Sequence, residues 1–149
     1  MTVARSGDAR VARLVAFFEQ MSPADLARIG DFYAVDARFK DPFNEVQGIP
    51  AITDVFAHMY RALENPRFVV HDVVVDGDQC FLTWDFLFRF KRFAPGIDQR
   101  VRGATQLRFA VDGRVELHRD YWDAAEELWE RVPLLGALMR WLKGRLRVD

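Results

Sequence analysis

Cysteine is nearly absent: Cys80 is the single one in 149 residues, which excludes an internal disulfide and any multi-cysteine metal site. Inside an extended run it reads as a small buried hydrophobe rather than a nucleophile, and a reducing compartment suits it. Histidine is almost as scarce. His58, His71 and His118 are the whole supply and show no metal-ligand spacing, so no metal is expected. Charge of one sign does not dominate either, with 21 basic against 22 acidic residues. The lysines and arginines form no groove-lining run across the body of the chain, and nucleic acid is not expected as a partner. No hydrophobic stretch approaches a membrane span, and Met1 to Asp8 reaches charged residues before any run long enough for export. The cytoplasm is the expected location. Phosphate loop, nucleotide fingerprint and nucleophile elbow are all missing, and no cofactor is expected.

Apolar and aromatic side chains are plentiful. Half the residues are apolar, with 13 Phe and 4 Trp, enough to bury a core without staples. A single domain over 1–149 is expected, with its core over about 8–123 and a helical extension over about 124–147. Val11, Leu14, Val15 and Phe18 recur at helical spacing, and Ser22-Pro23-Ala24-Asp25 predicts the capped start of a second helix through Leu26, Ile29, Phe32 and Tyr33. After a short strand, Pro50 opens a third helix whose Ile52, Val55, Phe56, Met59, Tyr60 and Leu63 form one stripe, with Asn65-Pro66 as its stop. Phe68 to Val75, Cys80 to Arg92, the alternating run around Val101 to Phe109, and the segment after Asp112-Gly113 then predict four antiparallel strands.

Two acidic segments carry the chemistry. In an extended strand Phe39, Asp41 and Phe43 share a face while Arg38 and Lys40 take the other, and near the end His118, Asp120 and Trp122 share a face in the same way. A carboxylate or imidazole sent inward with aromatic rings is how a small pocket gains an acid or base, and it needs a partner to stay there. Asp41 also fits a turn-forming role before Pro42, and Asp120 also fits a structural bond to His118 or an ion pair with Arg119. Phe56, Tyr60, Trp84 and Trp122 are core residues first and pocket-lining residues second. The outward side of the long fourth segment, Phe81, Thr83, Asp85 and Leu87, is too apolar to stay wet, so a homodimer through that convex face is expected. At the C-terminus Glu127 to Arg131 continues a helix and Pro133 interrupts it. Leu134, Leu135, Leu138, Met139, Trp141 and Leu142 then align with Arg140, Lys143, Arg145 and Arg147. This basic amphipathic helix is expected to pack across the mouth of the fold or on a partner subunit rather than on a membrane surface.

Tyr33-Ala34-Val35-Asp36-Ala37-Arg38-Phe39-Lys40-Asp41-Pro42-Phe43 and the last strand, Gly113 to Asp120, resemble the nuclear transport factor 2-like superfamily, in its SnoaL-like and ketosteroid isomerase-like branch. The resemblance spans roughly residues 8 to 123. It implies an α+β cone, in which three N-terminal helices pack in a strongly curved, mostly antiparallel sheet, with the C-terminal amphipathic helix added. It implies Asp41 as the proton-abstracting base, and Asp120, with His118 beside it, as the acid or base of the SnoaL-like polyketide cyclases. The isomerases' two oxyanion donors fall by register on Phe17 and Thr105. Losing such a donor costs about 2.7 to 4 kcal/mol, so efficient steroid isomerisation is not implied, although Thr105 keeps a hydroxyl. The superfamily's epoxide hydrolases carry Arg and Asp where this chain has Gly103 and Thr105, which disfavours their chemistry.

Three function classes follow. One is a cofactor-independent proton-transfer enzyme on a hydrophobic carbonyl compound, with Asp41 as the favoured base, Asp120 or His118 as the second acid or base, and Thr105, Tyr33 or a Trp indole as donors. A second is a binding protein for a hydrophobic small molecule, using a pocket of Phe17, Tyr33, Phe56, Tyr60, Trp84, Thr105 and Trp122. The third is a dimeric interaction module.

Overall fold

A computed structural model describes residues 7–92, 95–128 and 131–148. The first helix, α1 (Ala9–Gln20), begins where the Asp8 carboxylate accepts the backbone N–H groups of Arg10 and Val11, and it buries Val11, Leu14, Val15, Phe17 and Phe18. Pro23–Arg28 is a 3-10 helix rather than the start of a long α-helix, and only the four residues of α2 (Ile29–Phe32) follow it. The physical reason lies in the spacing: Leu26, Ile29 and Phe32 stand three apart, a period that a 3-10 turn satisfies as well as an α-helix. Tyr33 is therefore not helical. It opens β1 (Tyr33–Lys40), where it pairs with Val115.

A tight turn over residues 41–44 leads to β2 (Glu45–Gln47), an edge strand too short to show in the sequence, which pairs antiparallel with β1 through Phe39 and Val46. Gly48, at φ +93°, precedes α3 (Ile49–Ala62), whose Ile52 and Phe56 are buried. Asn65-Pro66 does not mark the helix end. The chain is already extended from Leu63, and β3 (Leu63–Asp76) takes in the pair as a bulge, with Asn65 at φ 50° and a register shift between Glu64 and Arg67. Strands β4 (Gln79–Phe90), β5 (Gln99–Phe109) and β6 (Val115–Tyr121) complete a sheet of order β2-β1-β6-β5-β4-β3. All neighbours are antiparallel except β1 and β6.

The result is an α+β fold in which α1 and α3 cover the concave face of a curved sheet. The alternation in β4 is obeyed: Leu82, Trp84 and Phe88 are buried, while Phe81 and Thr83 face out. After β6 come α4 (Ala124–Glu127), capped by Asp123, and α5 (Pro133–Leu146). Trp129 and Glu130, part of the expected helical continuation, lie outside the described residues. Pro133 starts α5 at its first turn instead of interrupting a helix. The apolar stripe of α5 does not pack across the mouth: Leu134 is 89% and Leu146 83% exposed, and within α5 only Gly136 is buried. Among the described residues no helix is long and apolar enough to cross a membrane.

Candidate functional site

Strand register brings five hydrogen-bonding side chains from four strands together at the floor of the concave face. Thr105 pairs with Asp120 and Leu107 with His118 across β5 and β6, Leu82 pairs with Thr105 across β4 and β5, and Phe39 lies beside His118 across β1 and β6. Side chains at these inward positions form one chain of hydrogen bonds. The indole Nε1 of Trp84 donates to Thr105 Oγ1 (2.7 Å), and the Thr105 hydroxyl donates to Asp120 Oδ1 (2.6 Å). His118 Nε2 lies 2.8 Å from the same Oδ1, and its Nδ1 lies 2.8 Å from the Tyr33 hydroxyl.

Donor inventory fixes the direction of this chain from Trp84 to Asp120. An indole can only donate, so Thr105 accepts from Trp84 and spends its own proton on Asp120. Tyr33 is completely buried, and that burial, with the Asp120 charge as a second cause, pushes its phenol pKa well above the ordinary value. The phenol thus keeps its proton; with a neutral imidazole that carries its own proton on Nε2, toward the Asp120 carboxylate, Nδ1 accepts from Tyr33. Every donor is matched. Asp120 Oδ1 receives two bonds, while its Oδ2 accepts none among the described residues. Phe39, with its ring centroid 4.6 Å from that of His118, and Phe18, edge-on at 5.8 Å, enclose the imidazole.

Asp120 faces a cavity of about 280 Å³. Its walls are aromatic: Phe39, Phe56, Phe68, Trp84, Phe86, Phe88 and Phe90 line it together with aliphatic groups of α3. Exposed Phe43, Asn44 and His58 stand at its mouth, where Trp122 meets Phe43 edge-on with centroids 5.5 Å apart. A smaller void of about 30 Å³ lies beyond, bounded by Phe18, Val70, Leu82, Thr105 and His118. Trp84, Phe56, Phe68 and Asp120 border both spaces.

The sequence candidates fall into three groups. Phe39, Asp41, Phe43, Phe56, Trp84, Asp120 and Trp122 line the cavity, while Thr105 and His118 line the inner void and Tyr33 stands behind His118. Asp41, however, is engaged in its own turn: Oδ1 accepts the N–H groups of Phe43 (2.8 Å) and Asn44 (2.6 Å), and the Asn44 amide reaches both oxygens at 3.1 Å. Phe17 and Tyr60 border neither space. Phe17 stacks on Phe32 at 3.9 Å on the other side of α1, and Phe18 turns inward in its place. Tyr60 is half-buried, and its burial raises the phenol pKa to about 12. Reasoning from sequence missed Phe18 and His58, although the helical stripe of α1 already contained the first. Among the described residues no group of three His, Cys, Asp or Glu side chains could hold a metal ion.

The SnoaL-like domain family matches residues 14–118, and the chain belongs to it. No curated protein matches. Among solved structures the chain is similar to a hypothetical protein with a ketosteroid isomerase-like fold from Catenulispora acidiphila, in complex with trimethylamine. The TM-score is 0.69 at 19% identity, over 83% of this chain and 92% of that one. A putative SnoaL-like polyketide cyclase from Shewanella putrefaciens has a TM-score of 0.68 at 19% identity, over 83% of this chain and 98% of that one. An LEH-like epoxide hydrolase from M. tuberculosis has a TM-score of 0.67 at 13% identity, over 94% of each chain. At such identities the likeness shows the shared fold alone.

Proposed function

We propose that this SnoaL-like domain is a cofactor-independent acid–base catalyst for a flat, hydrophobic carbonyl compound, of the isomerase or cyclase type. The observation that carries the reading is the bond chain Trp84–Thr105–Asp120–His118–Tyr33, which presents one carboxylate at the floor of a cavity walled by aromatic rings. Asp120 Oδ2 takes a proton from the carbon beside the substrate carbonyl, the electron pair moves into the enolate, and the resulting carboxylic acid returns the proton at the product carbon. Protons balance and no oxidant is needed. Two donors hold Oδ1, so the carboxylate is oriented before the ligand arrives. His58 and Asn44 at the mouth suit a polar substituent at the outer end of the ligand.

Asp120 has the leading role over Asp41 because the Asp41 carboxylate holds the turn between β1 and β2. Deuterium exchange at the α carbon of a panel of cyclic enones and polyketide-like ketones tests the reaction class. Asp120→Asn lowers exchange by about 10² to 10⁴, the range of general-base catalysis. Exchange unchanged in Asp120→Asn, or lost only in Asp41→Asn, would move the base to the mouth. Tight ligand binding without exchange by the unaltered protein would leave a binding protein. We also propose a cytoplasmic location, which the unpaired, buried thiol of Cys80 supports.

A further inference from the structure

We infer that Trp84, seated in a notch left by Gly103, is the floor that sets how deep a ligand enters, so this pair determines ligand length. The inference rests on the cavity being the ligand site, not on Asp120 acting as a base. Trp84 and Gly103 stand opposite each other across β4 and β5. A Cβ built on Gly103 would lie 2.6 Å from Trp84 Cζ2 and 2.9 Å from Cζ3, distances that real Cβ atoms essentially never show. Backbone torsion does not require this glycine, since it is not among the glycines with positive φ. The space above its Cα is what the fold uses, and the indole fills it.

Lying flat over β5, the indole brings Nε1 to Thr105 at 2.7 Å, and Phe68 meets it edge-on with centroids 5.5 Å apart. These two rings, with Phe56 and Asp120, separate the cavity of about 280 Å³ from the void of about 30 Å³ behind them. Removing the indole would join the spaces and let a ligand run past Asp120 toward Phe18 and Leu82. A methyl group on Gly103 acts in the opposite sense, because the ring must rise into the cavity. The ligand class that fits is a planar aromatic ketone whose length ends at Asp120.

The experiment measures affinities of acetophenone, 2-acetylnaphthalene and 2-acetylanthracene by displacement of an apolar fluorescent dye. Trp84→Ala is expected to favour the anthracene over acetophenone by at least about tenfold relative to the unaltered protein, the discrimination that small changes in pocket size give. Gly103→Ala is expected to shift the ratio the other way. Indole N–H spectra provide the structural check: one protected tryptophan signal loses its protection in Gly103→Ala. Trp84→Phe, which keeps a ring in place, holds the length preference within about threefold and guards against misreading a folding defect. Affinity ratios that stay constant in both Trp84→Ala and Gly103→Ala overturn the inference. Loss of deuterium exchange with a shifted ratio leaves it standing and removes only the catalytic reading.

Discussion

Thr105 and Asp120 face each other across β5 and β6, and the hydroxyl of one meets the carboxylate of the other at 2.6 Å. Because Thr105 also accepts from Trp84, it is the joint through which an indole on β4 orients a carboxylate on β6. Thr105→Val keeps the shape and removes the joint. Leaving the buried indole N–H without an acceptor costs about 1 to 3 kcal/mol, measurable as a lower urea midpoint. Exchange activity falls as well, whereas Thr105→Ser restores both. A valine variant with unaltered stability and exchange would show that the joint is dispensable.

At the mouth, Asp41 is expected to matter more for the fold than for proton transfer. Asp41→Ala deletes the acceptor of two backbone N–H groups and of the Asn44 amide, an exposed loss of about 1 kcal/mol. Chemical denaturation should register it while exchange per folded molecule changes by less than about threefold. A fall of a hundredfold in exchange would instead make Asp41 the base.

Asp8 ties the first helix to the β3–β4 turn. Its carboxylate caps α1 and pairs with Arg10, whose guanidinium also reaches Asp78 at 2.7 Å. The side-chain bond from Arg10 is the largest cause that holds the Asp8 pKa down at about 2. A depressed acid stabilises the fold above its ordinary pKa of 3.8, and that contribution disappears as pH falls from there through about 2. Asp8→Ala should therefore cost about 1 kcal/mol at neutral pH, as for a lost helix cap. Below about pH 2 the difference from the unaltered protein should vanish, and a difference independent of pH between 2 and 6 would refute the assignment.

Cys80 should be inert. Burial first, then the Asp8 charge, raises its thiol pKa to about 11, with Arg10 opposing. Thiolate is scarce in the folded state at pH 8, so a thiol reagent should react only after denaturant is added. The raised pKa adds stability that is complete below 9 and lost as pH rises through about 11. Rapid labelling of the native protein at pH 8 would contradict this.

A homodimer through the convex face is also expected. Val74, 63% exposed, and Phe81, 45% exposed, are partners across β3 and β4, which puts two apolar side chains side by side in water. Sedimentation at micromolar concentration should give twice the chain mass, and Phe81→Glu should give a folded monomer. A monomer before substitution would exclude this interface.

Periodic segments were legible in the sequence because one face of each is turned toward the core. The stripes of α1 and α3 and the alternation of β4 and β5 are of this kind. Where a segment satisfies two geometries, the pattern could not choose: the threefold spacing of Leu26, Ile29 and Phe32 hid a 3-10 turn and delayed the start of β1. Adjacent Phe17 and Phe18 differ by about 100° around a helix, and which one faces the cavity is set by packing against Phe32 and His118. Asp120 and His118 were visible as inward residues. Their link to Tyr33 was not, because it joins positions 85 residues apart.

The bulge at Asn65-Pro66 bears on whether another strand can add to the edge of the sheet. Strand β3 is the long free margin of the sheet, and an unbroken row of backbone groups there would template addition of another chain. Pro66 has no N–H to offer, Asn65 bends the strand out of register, and farther along Glu19 of α1 accepts the N–H of Val70 at 3.1 Å. The margin is interrupted at both places. A proline, a left-handed asparagine and one glutamate thus leave this edge without an unbroken row of backbone groups to pair with.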